Sequence, residues 1–189
     1  MSSIRILNRI SKEDAGQLLF FIGLAAFAIV ARLIDHAPNF APVAAMGLLA
    51  GYVCRSAKVG IIGVVLAMLV SDAVIGFDSV MMRLVVYGSL IVAVGLGTAL
   101  KNQTGLMLGA GLVGSSLLSS VVFYAITNLA VWAFSGMYEH TMQGLVLCYT
   151  YALPFLRHTV AGDLFYTGAL FAVYMLPALY KSRSVAIGD

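Results

Sequence analysis

Six apolar runs set the strongest limit on how this chain can fold. A helix needs roughly 18–20 apolar residues to cross a hydrocarbon core of about 30 Å. The runs cover residues 17–34, 40–53, 59–77, 84–100, 105–126 (open to extension as far as residue 134) and 159–180. The second run is the shortest, and its 14 residues reach only about 21 Å at 1.5 Å per residue.

The composition identifies the solvent around these runs as lipid. Of the 189 residues, 61% are hydrophobic and 10% are charged, whereas soluble domains carry about 25% charged residues. A core of this size cannot hide so much apolar surface. The sequence therefore predicts an all-α integral membrane protein with one transmembrane domain over residues 1–189. The polar first residues, with Arg5, Arg9 and Lys12, predict no cleavable signal peptide.

Charge bias predicts the orientation. If all six runs cross and residues 1–16 are cytoplasmic, eight of the 11 lysines and arginines are cytoplasmic, as the positive-inside rule requires. A re-entrant second run would put the basic tail, residues 181–189, outside. We therefore predict a six-transmembrane-helix bundle with both termini inside (N-in/C-in) and with Arg32, Arg83 and Arg157 at the outer side. The basic residues are scattered over loop ends, which predicts no nucleic-acid partner.

Residues 135–158 form a long connection between the fifth and sixth runs on the outer side. Long connections in compact domains are usually lids, binding loops or disordered segments. This one carries too many apolar and aromatic residues for disorder. We predict a partly helical outer cap that is folded over the end of the bundle.

Two acidic residues are leading candidates for a binding site. Asp72 lies inside the third run, where a carboxylate is costly and is by default a functional-site hypothesis. The alternative for Asp72 is a salt bridge to an outer arginine or a helix cap. Asp163 lies one turn into the last run, where a favourable helix dipole or pairing with Arg157 is the structural alternative.

Other polar and aromatic side chains share the outer level with these acids. Asn128 and Trp132 share a helix face, although a tryptophan alone is typical of a membrane-interface anchor. Asn39 lies in a turn before the second run, and the turn itself is the structural alternative. The predicted substrate-binding residues are Asn39, Phe40, Asp72, Arg83, Asn128, Trp132, Tyr149, Tyr151, Phe155, Arg157, His158, Asp163 and Tyr166.

Small residues recur at helical spacing in several runs, and such faces let helices approach closely in lipid. Packing within the monomer and contact with a partner subunit both fit this pattern. The predicted partner-helix face comprises Ala25, Ala28, Gly47, Gly51, Gly63 and Ala67.

The sequence lacks motifs for catalysis and metal binding. His36, His140 and His158 show no HxxxH or HExxH spacing, so we predict no metal site and no cofactor. No GxSxG, SxxK or glycine-rich phosphate loop is present, so we predict no enzyme. Two other hypotheses stay open. One is a membrane-embedded enzyme with Asp72 or Asp163 and His158 as acid–base partners, and the other is a scaffold subunit that packs through its small-residue faces.

Four groups of residues resemble a family of small bacterial inner-membrane proteins. They are Arg32 with His36-Ala-Pro-Asn-Phe-Ala-Pro42, then Ser71-Asp72, then Thr127-Asn128 with Trp132, and finally Cys148-Tyr149 with Ala152-Leu-Pro-Phe-Leu-Arg157, Gly162-Asp163 and Tyr166-Thr167. The family is described as transport proteins and is similar to the substrate-binding (S) components of energy-coupling factor (ECF) vitamin transporters. The resemblance spans nearly the whole chain.

The resemblance implies a six-helix S-component fold in the bacterial inner membrane, with an outward-facing pocket that captures a vitamin-like micronutrient. It also implies an ECF coupling subunit and ATPases as partners, besides the small-molecule ligand and the lipid bilayer. S components often carry an Ala-xxx-Ala face on the first helix for the coupling subunit, whereas here Ala25, Ala28 and Ala31 are spaced by three. Solitary relatives specific for cobalamin have a cysteine near the cobalt, and Cys148 would suit that contact. Cobalamin or a related corrinoid is therefore the first expected substrate.

Overall fold

The computed structural model describes residues 19–34, 37–54, 56–77 and 79–186, with side chains described as far as residue 176. Most of these residues are helical. Within these ranges no strand is present. Residues 1–16, the predicted N-terminal segment, lie outside the described residues, as do the last residues of the predicted tail. The helices are α1 (Leu19–Leu33), α2 (Val43–Val53), α3 (Ala57–Ile75), α4 (Val80–Ala99), α5 (Gly105–Phe134) and α6 (Met142–Ala186).

Serine caps and a glycine set several of the helix ends. Ser56 accepts a hydrogen bond of 3.3 Å from the backbone N–H of Lys58 at the start of α3. Ser79 does the same for Met82 at the start of α4, at 3.2 Å. These hydroxyls satisfy N–H groups that have no partner within the helix. Gly76 ends α3 with a φ of 119°, a conformation that residues with side chains rarely adopt.

Four helices, α3 to α6, are long and apolar enough to cross a membrane. The 30 residues of α5 and the 45 residues of α6 reach about 45 Å and about 65 Å, so both exceed a hydrocarbon core of about 30 Å. The described part of α1 and the whole of α2 are shorter apolar helices. The predicted all-α class is confirmed. Four of the described helices have the length and composition of membrane spans.

The short helix α2 lies at the centre of the bundle. Nine of its 11 residues are buried, and it contacts α3, α4, α5 and α6. A helix that is apolar around its whole circumference suits such a position. At about 16 Å, the helical part of the predicted run 40–53 is a core helix that is shorter than the hydrocarbon layer.

The closest packing in the bundle joins α2 to α4. A Cβ atom added at Gly51 would overlap the carbonyl oxygen of Val94, and one added at Gly97 would overlap the carbonyl oxygen of Leu48. Glycine at these two positions lets the helix backbones touch, which is how small residues stabilise helix pairs in lipid. The contact between α2 and α4 is therefore built mainly on backbone atoms and apolar side chains, with one hydrogen bond of 3.4 Å from Thr98 Oγ1 to the carbonyl oxygen of Gly51.

Charged and polar side chains gather at one end of the bundle, which we call the arginine end. Arg32 lies near the end of α1, Asp72 lies near the end of α3, and Arg83 lies in the first turn of α4. Asn39 lies in the turn before α2 and has a φ of 64°. Asparagine tolerates this left-handed region better than most residues, so the turn predicted at Asn39 is present.

The connection predicted as an outer cap has a different boundary in the structure. Only residues 135–141 link α5 to α6, because residues 142–158 are the first part of α6 and continue into the predicted last run without a break. Pro154 and the charged residues after it led to a predicted boundary at residue 159. Pro154 instead stands inside α6, where a membrane helix tolerates a proline because neighbouring groups satisfy the freed backbone.

Candidate functional site

An ion pair joins three helices at the arginine end. Arg32 of α1 contacts Asp72 of α3, with 2.7 Å between Nη2 and Oδ1. Tyr87 of α4 donates a hydrogen bond of 2.7 Å to Oδ2 of the same carboxylate. The side chains of Arg32 and Asp72 are only 18% and 11% exposed. A carboxylate inside an apolar helix needs such partners, and the salt-bridge alternative for Asp72 is therefore observed.

The other terminal nitrogen of Arg32 is also held by α3. Its Nη1 donates to Ser71 Oγ and to Met68 Sδ, the latter at 3.0 Å. Ser71 can accept this bond because its own hydroxyl donates to the carbonyl oxygen of Ala67 at 2.7 Å. A planar guanidinium presents several donors in a fixed geometry. Arg32 is thus fixed against α3 and fastens the end of α1 to it.

Hydroxyl groups form a second polar contact, between α5 and α6. Ser116 Oγ lies 2.8 Å from Thr167 Oγ1 and donates to the backbone oxygen of Asp163 at 3.1 Å. Ser120 Oγ donates to Asp163 Oδ2 at 2.6 Å. All four residues are buried, so their polar groups need partners within the protein. We call Ser116, Ser120, Asp163 and Thr167 the polar seam.

Asp163 is the acidic member of the polar seam, and its surroundings differ from those of Asp72. It is 4% exposed, yet it forms no ion pair with any residue that the structure describes. The predicted partner Arg157 is exposed on the same helix. The two acids singled out in the sequence therefore have opposite status, since Asp72 has a cationic partner in the described chain and Asp163 has none.

A cavity of about 390 Å³ lies between α5 and α6 at the arginine end. No charged side chain of the described residues lines it. Its polar lining groups include Asn39, Thr127 and Asn128. A mainly apolar wall with a few polar groups is typical of small-molecule sites. We call it the aromatic cavity, because its wall includes Phe123, Tyr124, Tyr138, Tyr151 and Phe155.

A smaller cavity of about 120 Å³, the central cavity, lies beside the aromatic cavity. Asn39, Phe123 and Thr159 line both of them, so the two cavities are neighbours. Arg32 and Asp163 also line the central cavity. The buried carboxylate of the polar seam therefore faces a space that adjoins the aromatic cavity.

A third cavity, of about 250 Å³, lies on the other side of the ion pair and is called the arginine cavity. Arg32, Asp72 and Tyr87 line it, together with Arg83, whose guanidinium lies 4.5 Å from the centre of the Phe77 ring. Because Arg32 also lines the central cavity, the three cavities form a row. Their surroundings change along this row from aromatic and neutral to charged.

The structure brings many of the predicted site residues to this row of cavities. Residues of α5 and α6 line the aromatic cavity, Asp163 lines the central cavity, and Asp72 and Arg83 line the arginine cavity. The predicted residues that line a cavity are Asn39, Asp72, Arg83, Asn128, Cys148, Tyr151, Phe155 and Asp163.

Three of the predicted aromatic residues have structural contacts instead. The ring of Phe40 lies 5.4 Å from that of Tyr166, and neither residue lines one of the three cavities. Tyr149 donates a hydrogen bond of 2.6 Å to the carbonyl oxygen of Ala125. Tyr149 therefore ties α6 to α5, and the contact between Phe40 and Tyr166 packs the turn before α2 against α6.

The remaining predicted residues that do not line a cavity are Trp132, Arg157 and His158. Trp132 Nε1 donates to the carbonyl oxygen of Glu139 at 2.9 Å, so it closes the connection between α5 and α6. His158 Nδ1 is buried and has no hydrogen-bond partner in the described chain. It makes no hydrogen bond with Asp72 or Asp163, so the acid–base pair of the enzyme hypothesis is not assembled here.

Cys148 lines the aromatic cavity but is only 2% exposed. Its Sγ donates to the carbonyl oxygen of Asn128 at 3.4 Å, which ties α6 to α5. In the part of the chain that the structure describes, no three His, Cys, Asp or Glu side chains form a group that could hold a metal ion.

The predicted partner-helix face is largely used inside the chain. Ala28 and Ala67 are 0% and 1% exposed, and Gly47 and Gly51 are buried in α2. These positions are therefore not open to a partner helix. Gly63, with no neighbouring atom within 4 Å of an added Cβ, and the half-buried Ala25 keep surface for such a contact.

Ala152 and Thr159 were missed, because the predicted partly helical cap was not joined to the last run as one helix. Once residues 142–158 are helical, Cys148, Ala152, Phe155, Thr159 and Asp163 recur every three or four positions and share one face. This periodicity is present in the sequence. Phe123, Tyr124 and Thr127 supply the facing wall from α5. Arg32 was one of three outer arginines that could pair with Asp72, and the structure shows that it forms this ion pair.

The chain belongs to a family of unknown function, DUF6580, whose model matches residues 12–185. No curated protein and no solved structure matches the chain. The matched region covers nearly all of the sequence and includes the residues that line the three cavities. Function must therefore be argued from the site itself.

Proposed function

We propose that this protein is a membrane-embedded binding component that captures a vitamin-like small molecule at the arginine end and helps carry it inward, in the manner of an ECF S component. The observation that supports the proposal best is the row of three adjoining cavities at one end of a tightly packed bundle. A structural unit alone needs no such spaces, because helix bundles are normally filled by side chains. The cavities also collect eight of the side chains selected from the sequence.

The aromatic cavity has the dimensions and chemistry for a ligand of this kind. Its volume of about 390 Å³ falls in the range of roughly 300–1,000 Å³ that is usual for small-molecule pockets. Asn128 and Thr127 offer polar groups, while Phe155 and Tyr151 offer ring faces. We propose that the rings contact a flat part of the ligand and that the amide and hydroxyl groups orient it.

The direction of uptake follows from the proposed topology. Six crossings with both termini in the cytoplasm satisfy the positive-inside rule and put the arginine end on the outer side of the bacterial inner membrane. The cavities then open toward the compartment from which a nutrient arrives. We propose that the short helix α2, together with the chain before it, completes the second crossing.

The size of the cavities bears on the ligand. A corrinoid is several times larger than a space of about 390 Å³, and the thiol of Cys148 is engaged with Asn128. We therefore propose a vitamin-like ligand that is smaller than cobalamin, and a corrinoid is kept as the larger alternative. An ECF coupling subunit is the proposed partner, with Ala25 and Gly63 as small residues that remain at the surface.

Native mass spectrometry of the gently extracted protein tests this function. We expect a co-purified adduct of vitamin-like mass, or an adduct that forms after incubation with a panel of vitamins that includes cobalamin. The adduct should survive detergent exchange, since a lipid or detergent molecule would be replaced. If no member of the panel binds and no adduct co-purifies, the binding function is wrong.

A further inference from the structure

The buried carboxylate of Asp163 is the starting point for a statement about ligand charge. Asp163 is 4% exposed, lines the central cavity and accepts one hydrogen bond, from Ser120 at 2.6 Å. The described residues supply no cation to it. A buried charge is strongly unfavourable unless it is paired, so this carboxylate is suited to a positive group that comes from outside the chain.

The nearest cation cannot easily serve Asp163. Arg32 lines the same central cavity, but its guanidinium is bound to Asp72, Ser71 and Met68 on α3. Turning Arg32 toward Asp163 would leave Asp72 without a charge partner. The two acids therefore do not compete for one arginine, and the carboxyl group of Asp163 has no cationic partner among the described residues.

The neighbouring aromatic cavity has a second property that favours cations. Its wall carries aromatic rings, including Tyr124, Tyr151 and Phe155, and no charged side chain of the described residues. The face of an aromatic ring attracts a desolvated cation, and such contacts recognise organic ammonium groups. An anion would meet the same ring faces without a compensating charge.

The two features are neighbours, because Asn39, Phe123 and Thr159 line both the central and the aromatic cavity. We infer that the ligand is an organic cation, with a flat body in the aromatic cavity and a positively charged nitrogen directed toward Asp163. Asn39 and Thr159 lie at the junction of the two cavities and would bind polar atoms between the body and the charge. This inference rests on the proposed function, because it assumes a small-molecule site at the arginine end.

A series of three probes of similar shape and different charge tests the inference. Tyramine is a cation at neutral pH, 4-ethylphenol is its neutral analogue, and 4-hydroxyphenylpropionate is an anion. Thermal stabilisation and equilibrium dialysis of the full chain give the relative affinities. We expect tyramine to bind at least about tenfold more tightly than the other two, because only tyramine supplies a partner for a buried charge.

Two variants assign the preference to Asp163. Asp163→Asn keeps an acceptor for Ser120 but removes the charge, so tyramine should lose about tenfold or more in affinity while 4-ethylphenol is unchanged. Glu139→Gln removes one negative charge from an exposed position in the α5–α6 connection and should leave both affinities unchanged. Unchanged binding of 4-ethylphenol also shows that the Asn variant is folded.

The outcomes separate this inference from the proposed function. A preference for the neutral or anionic probe, or a tyramine preference that survives Asp163→Asn, overturns the cation inference and leaves a small-molecule site in place. Failure of every probe and of the whole vitamin panel overturns the proposed function as well. If Asp163→Asn does not fold, the charge series on the unchanged protein still decides the inference.

Discussion

Two helix–helix contacts of the bundle, α2 with α4 and α5 with α6, are held together by different interactions. Both join helices in the middle of a very apolar chain. The first uses Gly51 and Gly97 to bring two backbones together. The second uses Ser116 and Ser120, whose hydroxyl groups bond to residues of α6. The glycines close the first contact by bringing backbone atoms together, whereas the second contains the buried carboxylate of Asp163, which lines the central cavity.

The difference suggests that the two contacts have different roles in the bundle. Close backbone packing at Gly51 and Gly97 leaves no room for a ligand between the two helices at that level, so this contact is suited to hold the fold. Hydrogen bonds between membrane helices contribute only modestly to stability, on average about 0.6 kcal/mol. A polar contact that stabilises so little and includes an acid without a cationic partner is better explained by binding than by folding.

The largest expected effect is at the glycine contact. Gly51→Ala adds a Cβ that would overlap the backbone of α4, so the helices must separate. We expect the free energy of unfolding to fall by about 2–3 kcal/mol, as for other overpacked cores. Reversible unfolding in mixed micelles measures it.

The matched control for this change is Gly95→Ala. Gly95 lies on α4 as well, but an added Cβ there has no neighbouring atom within 4 Å. We expect unchanged or slightly higher stability, since alanine is the better helix former by about 1 kcal/mol. Equal losses for Gly51→Ala and Gly95→Ala would show that α2 and α4 do not touch as described.

A smaller effect is expected in the polar seam. Ser120→Ala removes the hydrogen bond to the carboxylate of Asp163 and should cost about 1–1.5 kcal/mol, near the upper limit for interhelical bonds in membranes. Ser116→Ala removes two bonds between neutral groups, to the carbonyl oxygen of Asp163 and to Thr167, and should cost about 0.6 kcal/mol for each. The same unfolding assay measures both.

The exposed Ser135 is the control for the seam, because its hydroxyl donates to the carbonyl oxygen of Val131 and accepts from the backbone N–H of Met137, which are both near it in sequence. Ser135→Ala should leave the free energy of unfolding nearly unchanged. A loss at Ser120 as large as the loss at Gly51 would remove the contrast between the two contacts. The polar seam would then be a main support of the fold.

The sequence predicted the all-α class and the apolar helices well, because long apolar runs have few other solutions. It could not predict which face of each helix meets protein, since lipid and a protein core are both apolar. The central position of α2 and the use of Gly51 in packing within the chain were therefore open. The hydrogen bonds of Ser116 and Ser120 were not predicted, because their partners on α6 are distant in sequence.

Prediction of the site depended on the same limits. Asp72, Asn128 and Asp163 were selected because polar groups in apolar runs are costly, and all three line cavities. A salt bridge of Asp72 to an outer arginine was an open alternative, but the sequence could not select Arg32 as the partner, because Asp72 follows 40 positions later in the chain. Trp132 was selected for its type, but its ring nitrogen serves the connection between α5 and α6.

Ligand-induced stabilisation of two neighbouring variants tests the central claim most directly. Ala152 is 5% exposed and lines the aromatic cavity, whereas Leu153 is 53% exposed and does not. The ligand is the compound of the vitamin panel that raises the melting temperature of the unchanged chain most. A binding site in the aromatic cavity predicts that Ala152→Phe abolishes this rise and that Leu153→Phe retains it. A full rise in Ala152→Phe would contradict the account.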